Sequence, residues 1–254
     1  MSLITGIFSS ANKQMTITAL IPIKMESLRV PGKYTRMLGN RPLYQYIFQT
    51  LLRVKSAGYI DRICVYCSNP TIKEYLLPDI EYIQRPISLD GHEVEGLTIY
   101  REFQKTVKSD WYLLCHTTSP FLHADTIIDS ITKVVRSPQS APHSPQSSLQ
   151  SPPQSSPYDS AMTVARLQTF AWFDGKPLNY YPQRSIPRTQ TLHPVYWETS
   201  GLYLFPSTLL DSTPPTRIGK NPYLVVVEGR ERIDIDNIED WDLAEAYLYA
   251  KSSQ

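Results

Sequence analysis

Residues 16–23, TITALIPI, followed at once by KMESLRVPGK at 24–33, decide the fold. A short run of apolar and β-branched residues closed by a turn suits a strand covered on both faces. The chain then passes through a basic loop containing Pro31 and Gly32 into PLYQYIFQTLLRVKSAG. There Leu43, Ile47, Leu51 and Val54 recur at helical spacing, and Gly58 supplies a stop. Strand, loop and helix follow in order.

The pattern continues outward. RICVYCS reads as a strand, NPTIKEYLL as a helix, IEYIQ as a strand, EVEGLTIYREFQKTV as a helix, DWYLLCH as a strand and ADTIIDSITKVV as a helix. YDSAMTVARLQ, WETSGLYLF and NPYLVVVEG are further strands, and ERIDID runs into a closing helix, EDWDLAEAYLYA. Strands alternating with helices predict an α/β fold: three layers, a mainly parallel twisted sheet and helices on both faces. Ligands of such sheets gather beyond the strand C-termini, so the loops after residues 23, 67, 84 and 116 are the places to look. Between 137 and 157 the sequence is dominated by Ser, Pro and Gln. Such a stretch cannot bury enough apolar surface to offset its ordering, which predicts a disordered loop insertion within one domain spanning 1–254. A linker between two domains is the rival reading.

Composition narrows the partners. Lys plus Arg number 25 against 24 Asp plus Glu, a net charge of +1, so no general field favours nucleic acid or a membrane surface. No apolar stretch has membrane-spanning length and the start does not read as a signal peptide, which predicts a soluble, cytoplasmic protein. The three cysteines are too few for a disulfide framework. Cys64 and Cys67 fall three apart in a strand, which points them to opposite faces as core residues.

Any anion site must therefore be local. Lys24, Arg29 and Lys33 lie with Ser27 and Gly32 just past the first strand, and cations with free backbone amides at a strand end are what a polyphosphate needs. A solvated basic turn gives the same pattern, and the Walker A spacing is absent. Asp234 and Asp236 are separated by one residue, and in a strand both would share one face while Ile233 and Ile235 bury on the other. Paired carboxylates suit Mg²⁺, although two surface aspartates would look alike. His116 begins HTTSP at the end of a buried strand, a binding position. Ser119 reads as a ligand contact or a plain helix N-cap. Arg184, Arg188 and Glu198 lie in a polar stretch where an acidic substrate could find a partner or solvent alone.

Taken in order, these segments resemble the acylneuraminate cytidylyltransferase family, the CMP-sialic acid synthetases and their relatives. ALIPIKMESLRVPGKYTRMLGNRPL is similar to the family's strand and nucleotide loop, IQRPISL to its Arg-Pro-x-x-Leu turn, and HTTSPFL to its Gln-x-Thr-Ser-Pro segment, with His116 at the Gln. YDSAMTV, PRTQ and ERIDIDNIEDWDLAEA match its remaining segments, from about Thr16 to Tyr249. The resemblance implies a nucleotide-diphospho-sugar transferase-like fold and transfer of CMP from CTP to the anomeric hydroxyl of an acidic sugar, with release of pyrophosphate. Lys24, Lys33 and Asp236 would act in catalysis, while Arg29, Ser27, Arg85 and His116 would bind the nucleotide. Asp234 and Asp236 would hold Mg²⁺, Arg188 and Tyr203 would face the sugar, and the protein would be a homodimer. A GT-A-like glycosyltransferase also carries Asp-x-Asp, but usually after a middle strand. A catalytically silent nucleotide-binding protein is the rival of another class.

Overall fold

The computed structural model describes residues 15–27, 29–136 and 156–252. The Ser/Pro/Gln-rich stretch expected at 137–157 lies outside them, apart from Ser156 and Pro157. The elements run β1 (Ile17–Pro22), a small hairpin of β2 (Met37–Leu38) and β3 (Arg41–Pro42), α1 (Leu43–Ser56), β4 (Arg62–Cys67), β5 (Glu81–Gln84), α2 (Gly96–Thr106), β6 (Trp111–Cys115) and α3 (Ala124–Val134). After the gap come β7 (Ser160–Leu167), a second hairpin of β8 (Trp172–Phe173) and β9 (Lys176–Pro177), β10 (Val195–Pro206), β11 (Pro222–Val227) and α4 (Ile238–Ser252).

Seven strands form one sheet in the order β11-β7-β10-β6-β1-β4-β5. β6, β1, β4 and β5 are mutually parallel, β10 runs antiparallel between β6 and β7, and β11 lies parallel to β7. The sheet is therefore mostly parallel, as the alternation predicts. On one face Ile17, Ala19 and Ile21 pack with Ile47, Phe48, Leu51 and Val54 of α1 and Ile127, Ile131 and Val134 of α3. On the other, Leu20, Tyr66 and Leu114 pack with Tyr100 and Phe103 of α2. Alternate residues of each central strand thus serve opposite layers, which explains why these strands read as continuous apolar runs. Cys64 joins the second cluster and Cys67 the first, both buried and free.

Two expectations change. NPTIKEYLL forms a 3₁₀ turn at Pro70–Tyr75 rather than an α-helix; Asn69 caps it by accepting from the Thr71 amide, and too few residues follow before β5 for longer propagation. ERIDID is not a strand. Gly229–Arg232 form a 3₁₀ turn and 233–236 run extended without joining the sheet, although Ile233 and Ile235 still bury. They enter a third cluster with Val30, Leu38, Phe121 and Trp241, which ties the start of α4 to the loop after β1. Among the described residues no helix is long and apolar enough to cross a membrane.

Candidate active site

The parallel strands β1, β4, β5 and β6 end at one edge, where Pro22 pairs with Tyr66 and Cys67 with Gln84. Each hands its chain to a loop there. The loop after β1 turns back at Gly32, whose φ of 62° suits a residue without a Cβ, and Arg36 donates its amide to the Gly32 carbonyl. This turn drives Lys33 inward until it is only 5% exposed.

The buried ammonium of Lys33 donates to the Ile235 carbonyl at 2.9 Å, between the two aspartates. Burial lowers the Lys33 pKa; Asp236 and Asp234 oppose that shift and Arg29 adds to it. Asp236 receives Arg29 Nη2 on Oδ1 at 3.0 Å, an exposed pair of small energetic weight. Asp236 is held from behind by a capping box: Asp240 Oδ2 accepts from the Asp236 and Asn237 amides, and Asn237 Oδ1 accepts from the Asp240 amide. Asp234 is the more buried carboxylate. Desolvation raises its pKa, a hydrogen bond from Thr118 lowers it, and its Oδ1 is enclosed without a protein partner.

A buried carboxylate oxygen with no donor is costly unless a ligand supplies the missing charge. Asp234 and Asp236 together fit Mg²⁺, which takes one or two carboxylates and leaves its other positions to water and substrate phosphate. No cluster of three or more His, Cys, Asp or Glu side chains suited to a metal occurs among the described residues. Among the described residues, Asp234 and Asp236 are the carboxylates that could hold such an ion.

A second group of residues lies past β4 and β5. Arg85, 2% exposed, grips Asp90 Oδ1 through Nε and Nη2 at 3.1 and 2.6 Å. Lys24 donates to the Asp90 carbonyl, and Ser68 donates to Asp90 Oδ2. Lys24 and Arg85 therefore meet at one aspartate. Tyr34 links this group to the first: burial raises its pKa, and it feels Arg85, the Lys24 backbone and Asp236. Ser27 takes part locally, its Oγ accepting from the Val30 amide at 3.3 Å.

His116, past β6, is within electrostatic reach of the dyad and of a third group. Desolvation pushes its pKa down to about 4, Arg217 and Lys33 contribute to the lowering, and Asp236 opposes it. Ser119 is fully buried with its Oγ unpartnered, and it is no helix cap, because α3 begins only at Ala124 behind His123. Tyr203 is buried, and its hydroxyl donates to Glu198 Oε2 at 2.5 Å. Arg217 stacks on the Tyr203 ring at 3.7 Å, reaches Tyr100 Oη at 3.5 Å and faces Glu198 at 3.6 Å. Tyr203 and Glu198 flank a break in register where Ser200 adopts φ 57°, so a β-bulge aims Glu198 back toward Tyr203.

The structure thus brings Lys33, Arg29, Asp234 and Asp236 together, sets Lys24 with Arg85, and leaves His116 within electrostatic reach of Asp236, Lys33 and Arg217. Arg188 is different. It is exposed, precedes a 3₁₀ turn at Thr189–Thr191, and among the described residues shares no ion pair with any of these groups. Arg217 was not legible as a site residue: it lies in STPPTRIGKNP between β10 and β11, where no periodicity marks it. Asp90 was equally hidden, five residues beyond Arg85.

A carboxylate dyad, a buried lysine and several arginines gather at the C-terminal edge of a mostly parallel α/β sheet, a charge arrangement that suits a polyphosphate. The family model described as cytidylyltransferase matches residues 18–205, well over half of the chain, and the protein belongs to that family. No curated protein matches it in sequence. Among solved structures, it is similar to CMP:2-keto-3-deoxy-manno-octonic acid synthetase complexed with CTP, with a TM-score of 0.63 and 13% identity over 93% of this chain and 99% of that one. It is also similar to 4-diphosphocytidyl-2C-methyl-D-erythritol synthase from Anaerococcus prevotii, with a TM-score of 0.62 and 16% identity over 92% and 96% of the two chains. At such identities these likenesses establish the fold.

Proposed function

We propose that this chain is a CMP-sugar synthetase, transferring CMP from CTP to the anomeric hydroxyl of an acidic sugar of the ulosonic or nonulosonic type. The observation that carries this reading is the convergence of Lys33, Arg29 and the Asp234/Asp236 pair at one sheet edge. The acceptor oxygen attacks the α-phosphorus, the bond from that phosphorus to the α,β-bridging oxygen breaks, and pyrophosphate leaves. Lys33 and Arg29 stabilise charge gathering on the phosphate oxygens, and Lys24 and Arg85 orient the rest of the nucleotide. The acceptor hydroxyl gives up its proton to the Asp236 carboxylate as the new bond forms. Mg²⁺ held by Asp234 and Asp236 would supply charge neutralisation at the phosphates.

Arg217 supports an anionic acceptor better than Arg188 does. It is half-buried beside His116, and stacking on Tyr203 fixes its plane. The sialic acid class is part of this proposal, as are cytoplasmic placement and a homodimer. For the dimer, the segment carrying β8 and β9 exposes Trp172, Phe173, Leu178, Tyr181 and Ile186, more apolar surface than a short excursion of a monomer ordinarily shows. The test is pyrophosphate release from CTP and Mg²⁺ with a panel of ulosonic and nonulosonic acids. Release that depends on one acidic sugar and is lost in Asp236→Asn is expected; CTP binding without release with any of them would overturn the proposal.

A further inference from the structure

A separate cavity of about 590 Å³ opens between α1, the Pro120–His123 segment and the turn at Gly229–Arg232, and its lining includes none of the residues placed in the candidate active site. Three guanidinium groups line it, those of Arg41, Arg53 and Arg230, with Asp125 as the one carboxylate. None of the three arginines forms an ion pair with a carboxylate of the described residues. Arg41 donates only to neutral oxygens, Gln49 Oε1 at 2.5 Å and Asn40 Oδ1 at 3.3 Å, and stacks over Tyr46 at 5.1 Å. Arg230 stacks over Phe121 at 5.9 Å, with Nη2 3.5 Å from His123 Nε2. Tyr46 and Phe121 pack edge to face at 6.0 Å, so one aromatic floor holds both guanidinium planes. The first residues of α3 also line the cavity, but the Glu231 carboxylate already accepts from the His123 amide and the Thr126 hydroxyl there, so the arginines and not the helix end carry the positive field.

Concentrating three cations around one cavity against a single carboxylate, Asp125, is unfavourable in the empty protein, and stacking restrains the side-chain freedom that would let Arg41 and Arg230 separate. Planar donors converging from different elements suit a tetrahedral oxyanion, which offers three acceptor oxygens at once. From this we infer that the cavity is a second binding site, distinct from the candidate active site, for a small phosphate-bearing molecule. It needs no metal, since guanidinium groups alone supply the charge.

Inorganic phosphate and glycerol 3-phosphate are the probes, with tricarballylate as the carboxylate comparator, and the readouts are thermal midpoint and calorimetric titration on the full chain. At tenfold excess over its dissociation constant a phosphate probe should raise the midpoint by about 3–5 °C. Lys33→Met should keep this shift, whereas the double variant Arg41→Gln/Arg230→Gln should lose it. If that variant does not fold, Arg53→Gln, at an exposed position on α1, should weaken phosphate binding about tenfold, the low end of the scale for losing one charge-assisted contact. A shift abolished by Lys33→Met and kept without the arginines would place the anion at the nucleotide loop and overturn the inference. So would binding by tricarballylate alone, or the absence of any phosphate binding.

Discussion

The ammonium of Lys33 is bonded to the carbonyl oxygen of Ile235 at 2.9 Å, joining two segments separated by 202 positions in the chain. The bond makes one unit of the basic loop and the carboxylate dyad. Because the acceptor is backbone, neutralising an aspartate leaves the lysine in place, whereas removing the lysine deprives both segments. Lys33→Met should lower kcat about 100- to 1,000-fold, in line with the loss of one preorganised donor at a reacting oxyanion. Steady-state pyrophosphate release checks this, with circular dichroism to confirm the fold.

Asp234 carries an enclosed, unpartnered oxygen and a pKa raised by desolvation. The fold therefore disfavours its ionised form, so its carboxylate costs stability at neutral pH and the cost falls as pH drops or a cation arrives. Asp234→Asn should leave the metal-free protein at least as stable as the parent while removing the rise in thermal midpoint caused by Mg²⁺. Scanning fluorimetry with and without Mg²⁺ reads both; a retained Mg²⁺ shift would exclude Asp234 as a ligand.

His116 has its pKa lowered to about 4 in the fold, against 6.5 when unperturbed. Between these values the unfolded chain binds the proton and the folded chain does not, so this stabilising contribution is complete above pH 6.5 and is lost as pH falls toward 4. His116→Gln removes the titrating group. The variant should show a flatter stability profile across that window, measured by urea unfolding at a series of pH values.

Arg217 and Arg188 separate two views of the acceptor side. Arg217→Ala should raise KM for the acidic sugar about 10- to 100-fold, the scale of one hydrogen bond to a charged group, with little change in KM for CTP. Arg188→Ala, at an exposed position without a shared contact, should change the acceptor KM far less. Equal effects would place the sugar nearer the β8–β9 segment than the geometry suggests.

The parallel half of the sheet was legible because local pattern and tertiary role coincide there. TITALIPI and RICVYC are covered on both faces, and nothing but a strand satisfies their backbone. Legibility fails where long-range contact decides. Asp234 and Asp236 have the alternation of a strand, yet Ile235 pairs its amide with the Thr118 carbonyl rather than with a sheet neighbour, which no spacing reveals. Ser119 had the look of a cap, but Pro120–His123 intervene before α3 and leave its hydroxyl in the interior. Arg217 is identified only by what it touches, since its guanidinium is fixed by Tyr203, Tyr100 and Glu198 from three other stretches of chain.

β10 runs twelve residues, pairing Val195 with Leu167 near the aromatic hairpin and Tyr203 with Leu114 beside His116. Between those ends sits the bulge that aims Glu198 at Tyr203. One strand therefore connects the exposed aromatics of the β8–β9 segment with Glu198 and Tyr203. In the proposed homodimer the strand that leaves the subunit contact is the strand that carries Tyr203, so catalytic constants measured at different protein concentrations should change in step with self-association.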